Sequence, residues 1–109
     1  MDMVVRRTEV WMVQLNPTLG SEIKKSRPCV IISPDEVNKY LNTVTIAPLT
    51  STSKPYPSRV NCTFDRKKGQ VAIDQIRSVD KERLKKKLGV MDKHTVEAIF
   101  SLLQEYFKY

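Results

Sequence analysis

Residues 20–32 read GSEIKKSRPCVII: a basic loop opened by Gly20, then Arg27-Pro28, then the apolar run Cys29–Ile32. Four consecutive apolar residues between Pro28 and Ser33 predict a short central strand. Proline fixes its own φ and confines the preceding residue to extended backbone. Arg27 is therefore expected at the mouth of that strand with its guanidinium partly preorganised. A guanidinium forks five donors in one plane and keeps its charge at neutral pH, which suits a phosphate or the extra charge of a phosphoryl transition state. Surface loops carry arginines for many reasons, so the weight falls on the neighbouring sequence.

Before the loop, Thr8–Leu15 alternates and is rich in β-branched and aromatic residues, which predicts a first strand that Asn16-Pro17 ends. The connector to Arg27 is longer than a tight hairpin, and long loops in small domains tend to be functional. After Ile32, Ser33-Pro34-Asp35-Glu36 predicts a capping box and a short helix to about Leu41. Thr43–Leu49 returns to strand composition, and Pro48 is expected to end it. A hydroxyl-rich loop with two prolines spans Thr50–Ser58. Val60, Cys62 and Phe64 alternate, the turn Asp65–Gly69 reverses the chain, and Val71 and Ile73 alternate again, which predicts an antiparallel hairpin. Ile76–Val79 is a last short strand, and Asp80–Leu84 starts a helical or turn segment that ends near Gly89. Asp92 is positioned to cap a terminal helix that carries Val96, Ile99, Phe100, Leu103 and Phe107 on its sheet-facing side. Four or five antiparallel strands, a short helix and a terminal helix make an α+β fold with a strongly curved sheet or small open barrel.

The chain of 109 residues is the size of one domain, residues 1–109. Its 19 Lys and Arg against 12 Asp and Glu give a net charge of +7. The excess is concentrated at Lys24-Lys25-Ser26-Arg27, Arg66-Lys67-Lys68 and Lys85-Lys86-Lys87. This balance suits a polyanionic partner, whether nucleic acid or an acidic protein segment. No stretch approaches the ~20 apolar residues needed to cross a bilayer. Arg6-Arg7 is followed by Thr8-Glu9 with no apolar core or cleavage site, so no signal peptide is expected and the protein is placed in the cytoplasm. Cys29 and Cys62 sit in strand-like runs without metal-ligand spacing and are expected to be buried free thiols.

The catalytic inventory is short. His94 is the one histidine, so a two-histidine ribonuclease scheme is excluded, and no phosphate-cradling glycine loop exists. Glu22, Asp74 and Asp80 are isolated in sequence, which disfavours a two-metal nuclease. What remains is Arg27, the hydroxyls Thr50 and Ser51 at the end of strand three, and Asp74-Gln75-Ile76-Arg77 at a strand junction. RNA is a substrate such groups can cleave. It carries its own nucleophile, the 2′-hydroxyl, and the protein need only position the phosphate and stabilise the developing charge.

Taken together, Gly20-Ser-Glu22, Arg27-Pro28 before an apolar strand, Ala47-Pro-Leu-Thr-Ser51 and Asp74-Gln-Ile-Arg77-Ser-Val-Asp80-Lys resemble the MazF/PemK toxins of bacterial toxin–antitoxin systems. The resemblance runs from about Arg7 to Phe107. It implies a CcdB/MazF-type SH3-like β-barrel: a strongly curved antiparallel sheet with a short helix after strand two and a C-terminal helix. It also implies a homodimeric endoribonuclease that cuts single-stranded mRNA without a metal or other cofactor, leaving a 2′,3′-cyclic phosphate and a 5′-hydroxyl. By motif position Arg27 is similar to the family's catalytic arginine and Thr50 to its hydroxyl partner, with Ser51 the alternative one residue on. Ser21, Glu22, Asp74, Gln75 and Arg77 then fall where the pocket and RNA contacts are expected, and Ser53, Lys54 and Tyr56 where the strand passes. Some members carry a histidine in the first loop and an arginine before the Asp-Gln pair. Ser21 and Ala72 stand there in this chain, which favours a site resting on the arginine and threonine. The resemblance further implies a MazE-like antitoxin with a flexible acidic tail.

Two alternatives stay open on sequence grounds. One is a CcdB-like toxin that binds gyrase, which has no need of Arg27 and Thr50. The other is a non-catalytic nucleic-acid-binding barrel. Trp11, Tyr40, Tyr56, Phe64 and Phe100 are too scattered to form a base-stacking platform for it, with Tyr56 the one candidate stacker.

Overall fold

The structure is a computed structural model that describes residues 3–109. Seven strands and two helices follow one another: β1 (Glu9–Gln14), β2 (Ser26–Ile31), α1 (Asp35–Tyr40), β3 (Thr43–Thr50), β4 (Arg59–Phe64), β5 (Lys67–Ala72), β6 (Arg77–Asp80), β7 (Leu84–Val90) and α2 (Lys93–Tyr106). Single 3-10 turns at Ile73–Gln75 and Lys81–Arg83 flank β6. All ladders are antiparallel, in the order β4-β5-β3-β2-β1-β7, with β6 on β3. This is the expected α+β architecture of a curved sheet with a short helix after β2 and a C-terminal helix.

The organising strand is β3. Ile46 pairs with Ile31 of β2 on one edge and with Arg77 of β6 on the other, and further along Leu49 and Thr50 pair with Val71 and Gln70 of β5. Between those two stretches, residues 72–76 stand opposite only Ala47 and Pro48, so the chain bulges out as the Ile73–Gln75 turn. Proline has no N–H to give a ladder, and Pro48 lies opposite the break. The expectation that Pro48 ends strand three is therefore corrected. It interrupts one ladder while β3 continues to Thr50.

Alternating side chains bury both faces. Val30, Ala47, Leu49, Val71 and Ile99 belong to a core under α2, while Val13, Cys29, Ile31, Ile46 and Leu84 form a second core on the other face. Burial on both sides explains the unbroken apolar run of β2. Asp92 caps α2, its carboxylate accepting from the Thr95 N–H at 2.9 Å and the Thr95 hydroxyl at 2.8 Å. Removing such a cap costs about 1 kcal/mol.

Several local expectations are corrected. Strand β7 replaces the turn segment expected up to Gly89. Of its residues only Leu84 is fully buried, because Leu84–Val90 is an edge strand whose lysines face water and discourage further pairing. The capping box at α1 does not form. Pro34 is the N-cap, and the Ser33 hydroxyl instead donates to Asn38 Oδ1 and accepts from the Thr45 N–H, tying α1 to β3. Asp65 and Arg66, at φ of 51° and 64°, make a two-residue turn, so Lys67–Gly69 belongs to β5. Phe107 lies beyond the end of α2 and is 64% exposed, so it does not join the core.

Candidate active site

The β2–β3 ladder ends two residues short of Arg27 and Thr50 and directs the two strand ends toward one another. Cys29 pairs with Pro48 across β2 and β3, and carrying that register two residues further sets Arg27 opposite Thr50. Residues directly opposite in a ladder point to the same face, so the guanidinium and hydroxyl arise side by side. Thr50 is also paired with Gln70, and Gln70 with Asn61. Arg27, Thr50, Gln70 and Asn61 thus form one polar row across β2, β3, β5 and β4. The neighbouring row, Leu49, Val71 and Val60, belongs to the core under α2.

Within this row Arg27 is half-buried, its Nε donating to the Lys24 carbonyl at 3.2 Å. The Thr50 side chain is buried, and its Oγ1 accepts from the Thr52 N–H at 3.2 Å. That contact occupies a lone pair and leaves the hydroxyl proton free to be donated. Ser51 is exposed and lies outside the ladder.

Beside the row a cleft of about 320 Å³ is lined by Ser21, Glu22 and Ile23 of the first loop, Pro48 of β3, and Asp74–Arg77. The β3 bulge is what pushes Asp74 and Gln75 into this position. The Gln75 carboxamide accepts from the Ile23 N–H at 3.1 Å and donates to the Ser21 carbonyl at 3.3 Å. Arg77 Nη1 donates to the Leu15 carbonyl at 3.1 Å, and Glu22 accepts from the Leu19 N–H. Asp74 forms a bidentate pair with Arg59, at 2.7 and 3.2 Å, and accepts from the Ser58 hydroxyl at 2.9 Å. The Arg59 guanidinium beside it holds the Asp74 carboxyl below its ordinary range, and Arg59 is raised in turn.

Five of the sequence-selected residues, Ser21, Glu22, Asp74, Gln75 and Arg77, therefore share the cleft, while Arg27 of β2 and Thr50 of β3 do not line it. Ser53, Lys54 and Tyr56 lie on the second loop, all exposed, with Tyr56 against the Arg59 guanidinium at 5.3 Å. A larger groove of about 1020 Å³ runs past Met3–Arg6, Asn38–Asn42 and Asp80–Glu82. It lies away from Arg27 and Thr50, whereas the smaller cleft includes Pro48 of the strand that carries Thr50, so the smaller cleft is the candidate.

Three site-building residues were not singled out from the sequence: Gln70, Arg59 and Arg83. Gln70 is 5% exposed and bonds the backbone of Lys54. Its signal was a neutral amide inside the apolar stretch Val71–Ile73 and its approach. Arg83 reaches the Gln14 carbonyl at 3.0 Å and the Asn16 carbonyl, a contact with no local signal. Both cysteines are buried free thiols, and burial pushes Cys29 up to about 12 and raises Cys62. Neither is a nucleophile near neutral pH. Among the described residues no three His, Cys, Asp or Glu side chains gather in a metal-binding group, and no helix is long and apolar enough to cross a membrane.

The curved antiparallel sheet with its C-terminal helix is similar in fold to solved MazF structures. MazF from Deinococcus radiodurans superposes with a TM-score of 0.87 at 24% identity, over 99% of this chain and 100% of that one. A MazE–MazF structure from the same organism gives a TM-score of 0.80 at 21% identity, over 98% of each chain. An endoribonuclease in complex with its cognate antitoxin, from a mycobacterial species, gives 0.78 at 24% identity, over 93% of this chain and 92% of that one. The family model for the PemK-like, MazF-like toxins of type II toxin–antitoxin systems matches residues 6–107, and the chain belongs to that family.

Proposed function

We propose that residues 1–109 act as one toxin domain, an endoribonuclease that cuts single-stranded mRNA without a metal ion. The observation that carries this reading is the β2–β3 register, which ends at the Cys29–Pro48 pair and, continued two residues, sets Arg27 opposite Thr50 on one sheet face. A scissile phosphate at that point would receive the Arg27 guanidinium on its non-bridging oxygens and the Thr50 hydroxyl as a second donor. The 2′-oxygen of the same nucleotide attacks phosphorus, and the bond to the 5′-oxygen breaks. The 2′-hydroxyl loses a proton and the 5′-oxygen gains one. The products are a 2′,3′-cyclic phosphate and a 5′-hydroxyl.

The geometry supports these roles. Arg27 stabilises charge that grows on the phosphorane, where a fixed cation is most effective. Thr50 is favoured over Ser51 because it is buried, in register with Arg27 and held by the Thr52 N–H. Ser21, Glu22, Asp74, Gln75 and Arg77 wall the cleft that receives a neighbouring nucleotide, and Ser53, Lys54 and Tyr56 contact the strand. The net charge of +7 serves RNA and an acidic antitoxin tail alike. The solved relatives include MazE–MazF complexes, so the partner proposed here is a MazE-like antitoxin, acting in the cytoplasm on a homodimer of this chain.

The test incubates wild type, Arg27→Ala and Thr50→Ala with a long single-stranded RNA in EDTA and maps product ends by primer extension. Discrete cuts with 5′-hydroxyl ends, lost by about 100-fold or more in Arg27→Ala, are expected. RNA left intact by wild type at concentrations where it binds RNA or gyrase overturns the reading in favour of a binding protein.

A further inference from the structure

Beyond Thr50 the chain leaves the sheet. The β3–β5 ladder ends at the Thr50–Gln70 pair, and Ser51 through Pro57 are all exposed. Such a segment has no strand to fix it. Yet one residue meets it again: the Gln70 Oε1 accepts from the Lys54 N–H at 3.0 Å, and the Gln70 Nε2 donates to the Lys54 carbonyl at 2.9 Å. A third bond, from Nε2 to Asn61 Oδ1 at 3.0 Å, fixes the plane of the carboxamide.

This arrangement closes a short arch. Thr50 is held to Gln70 by the ladder and Lys54 by the Gln70 side chain, so both feet of Thr50–Lys54 rest on one residue. The carboxamide presents an acceptor and a donor to one residue's N–H and C=O, as a neighbouring strand would. Inside the arch the Thr52 N–H meets Thr50 Oγ1. The arch therefore fixes where one of the threonine's lone pairs is spent. Gln70 is buried, with both carboxamide atoms bonded to Lys54 or Asn61, so it is not available to RNA.

We propose that Gln70 is a positioning residue for RNA cleavage. It pins the Thr50–Lys54 arch and so preorganises the Thr50 hydroxyl toward the phosphate held by Arg27. The inference rests on the ribonuclease reading above and adds a residue to it that does not touch substrate. Replacing the carboxamide by an apolar isostere frees Lys54, and the Thr52 N–H no longer has a fixed place from which to reach Thr50.

The experiment compares wild type, Gln70→Leu and Gln70→Glu. Leucine removes all three bonds. Glutamate keeps an acceptor for the Lys54 N–H but sets a carboxylate oxygen against the Lys54 carbonyl and the Asn61 amide oxygen. Three quantities are read: kcat and KM on a short RNA containing one cleavage site, RNA affinity, and amide hydrogen exchange. The expected result in both variants is a kcat lower by on the order of 100-fold, since a reacting group displaced by about 1 Å costs that much. RNA affinity should stay within about 3-fold, and faster exchange should be confined to the Thr52 and Lys54 amides. Thr50→Ala combined with Gln70→Leu should be no slower than Thr50→Ala alone, because the arch acts through the hydroxyl.

Wild-type kcat in Gln70→Leu with the Lys54 amide released overturns the proposal. So does exchange that rises throughout the sheet with kcat falling only as the folded fraction falls, since Gln70 is then a fold-stabilising residue. Absence of cleavage by wild type is a separate result, the failure of the ribonuclease reading itself.

Discussion

The two loops that flank the Arg27–Thr50 row are built on opposite principles. The first, between β1 and β2, is tied down at many points by side chains from elsewhere. Gln75 holds Ser21 and Ile23, Arg77 holds Leu15, Arg83 holds Gln14 and Asn16, and Asn16 Oδ1 accepts from the Lys25 N–H at 3.1 Å. The second, between β3 and β4, is held at its start, among the described residues, by Gln70, and at its far end by the Ser58 hydroxyl on Asp74, the Ser58 carbonyl on the Ile73 N–H and Tyr56 against Arg59. The first loop delivers a cation, which must stand still to act on developing charge. The second leads away from a hydroxyl whose direction depends on one arch. Redundant anchoring should absorb single substitutions, whereas single anchoring should transmit them.

The largest effect on stability is expected where the second loop meets β5. A Cβ built at Gly69 would lie 2.6 Å from the Thr50 carbonyl oxygen, with backbone on both sides of the clash. Gly69→Ala must push β5 and the end of β3 apart. We expect a loss of about 1–3 kcal/mol in urea unfolding and a kcat lower by roughly 10-fold or more. A Gly69→Ala protein with wild-type kcat would show that the position of Thr50 is not critical, and the contrast between the loops would lose its chemical meaning.

A smaller effect is expected from Gln75→Leu, which removes two of the first loop's ties and leaves those from Arg77, Arg83 and Asn16. Each lost bond is worth about 1 kcal/mol at most in a half-exposed loop. Cleavage is expected to stay within about 5-fold of wild type. If it falls as far as in Gln70→Leu, the anchoring is not redundant, or the carboxamide meets RNA directly. Measuring RNA affinity in the same variant separates those outcomes, because only direct contact lowers it.

The contrast also explains what was legible in the sequence. Arg27 was legible because Arg-Pro before an apolar run constrains the backbone locally, and Thr50 because it closes a β-branched strand. The sheet, the terminal helix and the Asp92 cap were legible through period-2 and period-3.6 patterning. The anchors were not. Gln75 meets Ile23 across 52 residues and Arg83 meets Gln14 across 69, so no local pattern relates them. Strand β7 was hidden for another reason: Lys85–Lys87 carries the charge of an exposed edge and lacks the alternation that marks a half-buried strand. Pro48 misled because a proline was taken to stop a strand, whereas here it breaks only the ladder on one edge and thereby places Asp74 and Gln75 in the cleft. Ser33, read as a cap, is drawn away by the buried Asn38 and by Thr45.

The finest distinction concerns the far foot of the second loop, where Asp74, Arg59 and Ser58 meet. The Arg59 side chain is 9% exposed and that of Asp74 27%, so this pair is shielded more than most surface ion pairs and less than a core one. Its contribution should be about 0.5–1 kcal/mol. Because the Asp74 pKa is lowered in the folded protein, the first cause being the Arg59 hydrogen bond, the folded state favours the ionised form. The stabilisation is therefore fully present above the unfolded carboxylate value of about 4 and is lost as pH falls through the depressed folded value. Asp74→Asn should be less stable than wild type by that amount in urea unfolding at pH 7, with the gap closing as the pH falls through the depressed folded value. A gap that persists unchanged in acid would mean that the loop's far end is held by shape and the Ser58 hydrogen bond. The second loop would then have an anchor independent of charge at its far end, and Gln70, among the described residues, would be the contact through which its start is released.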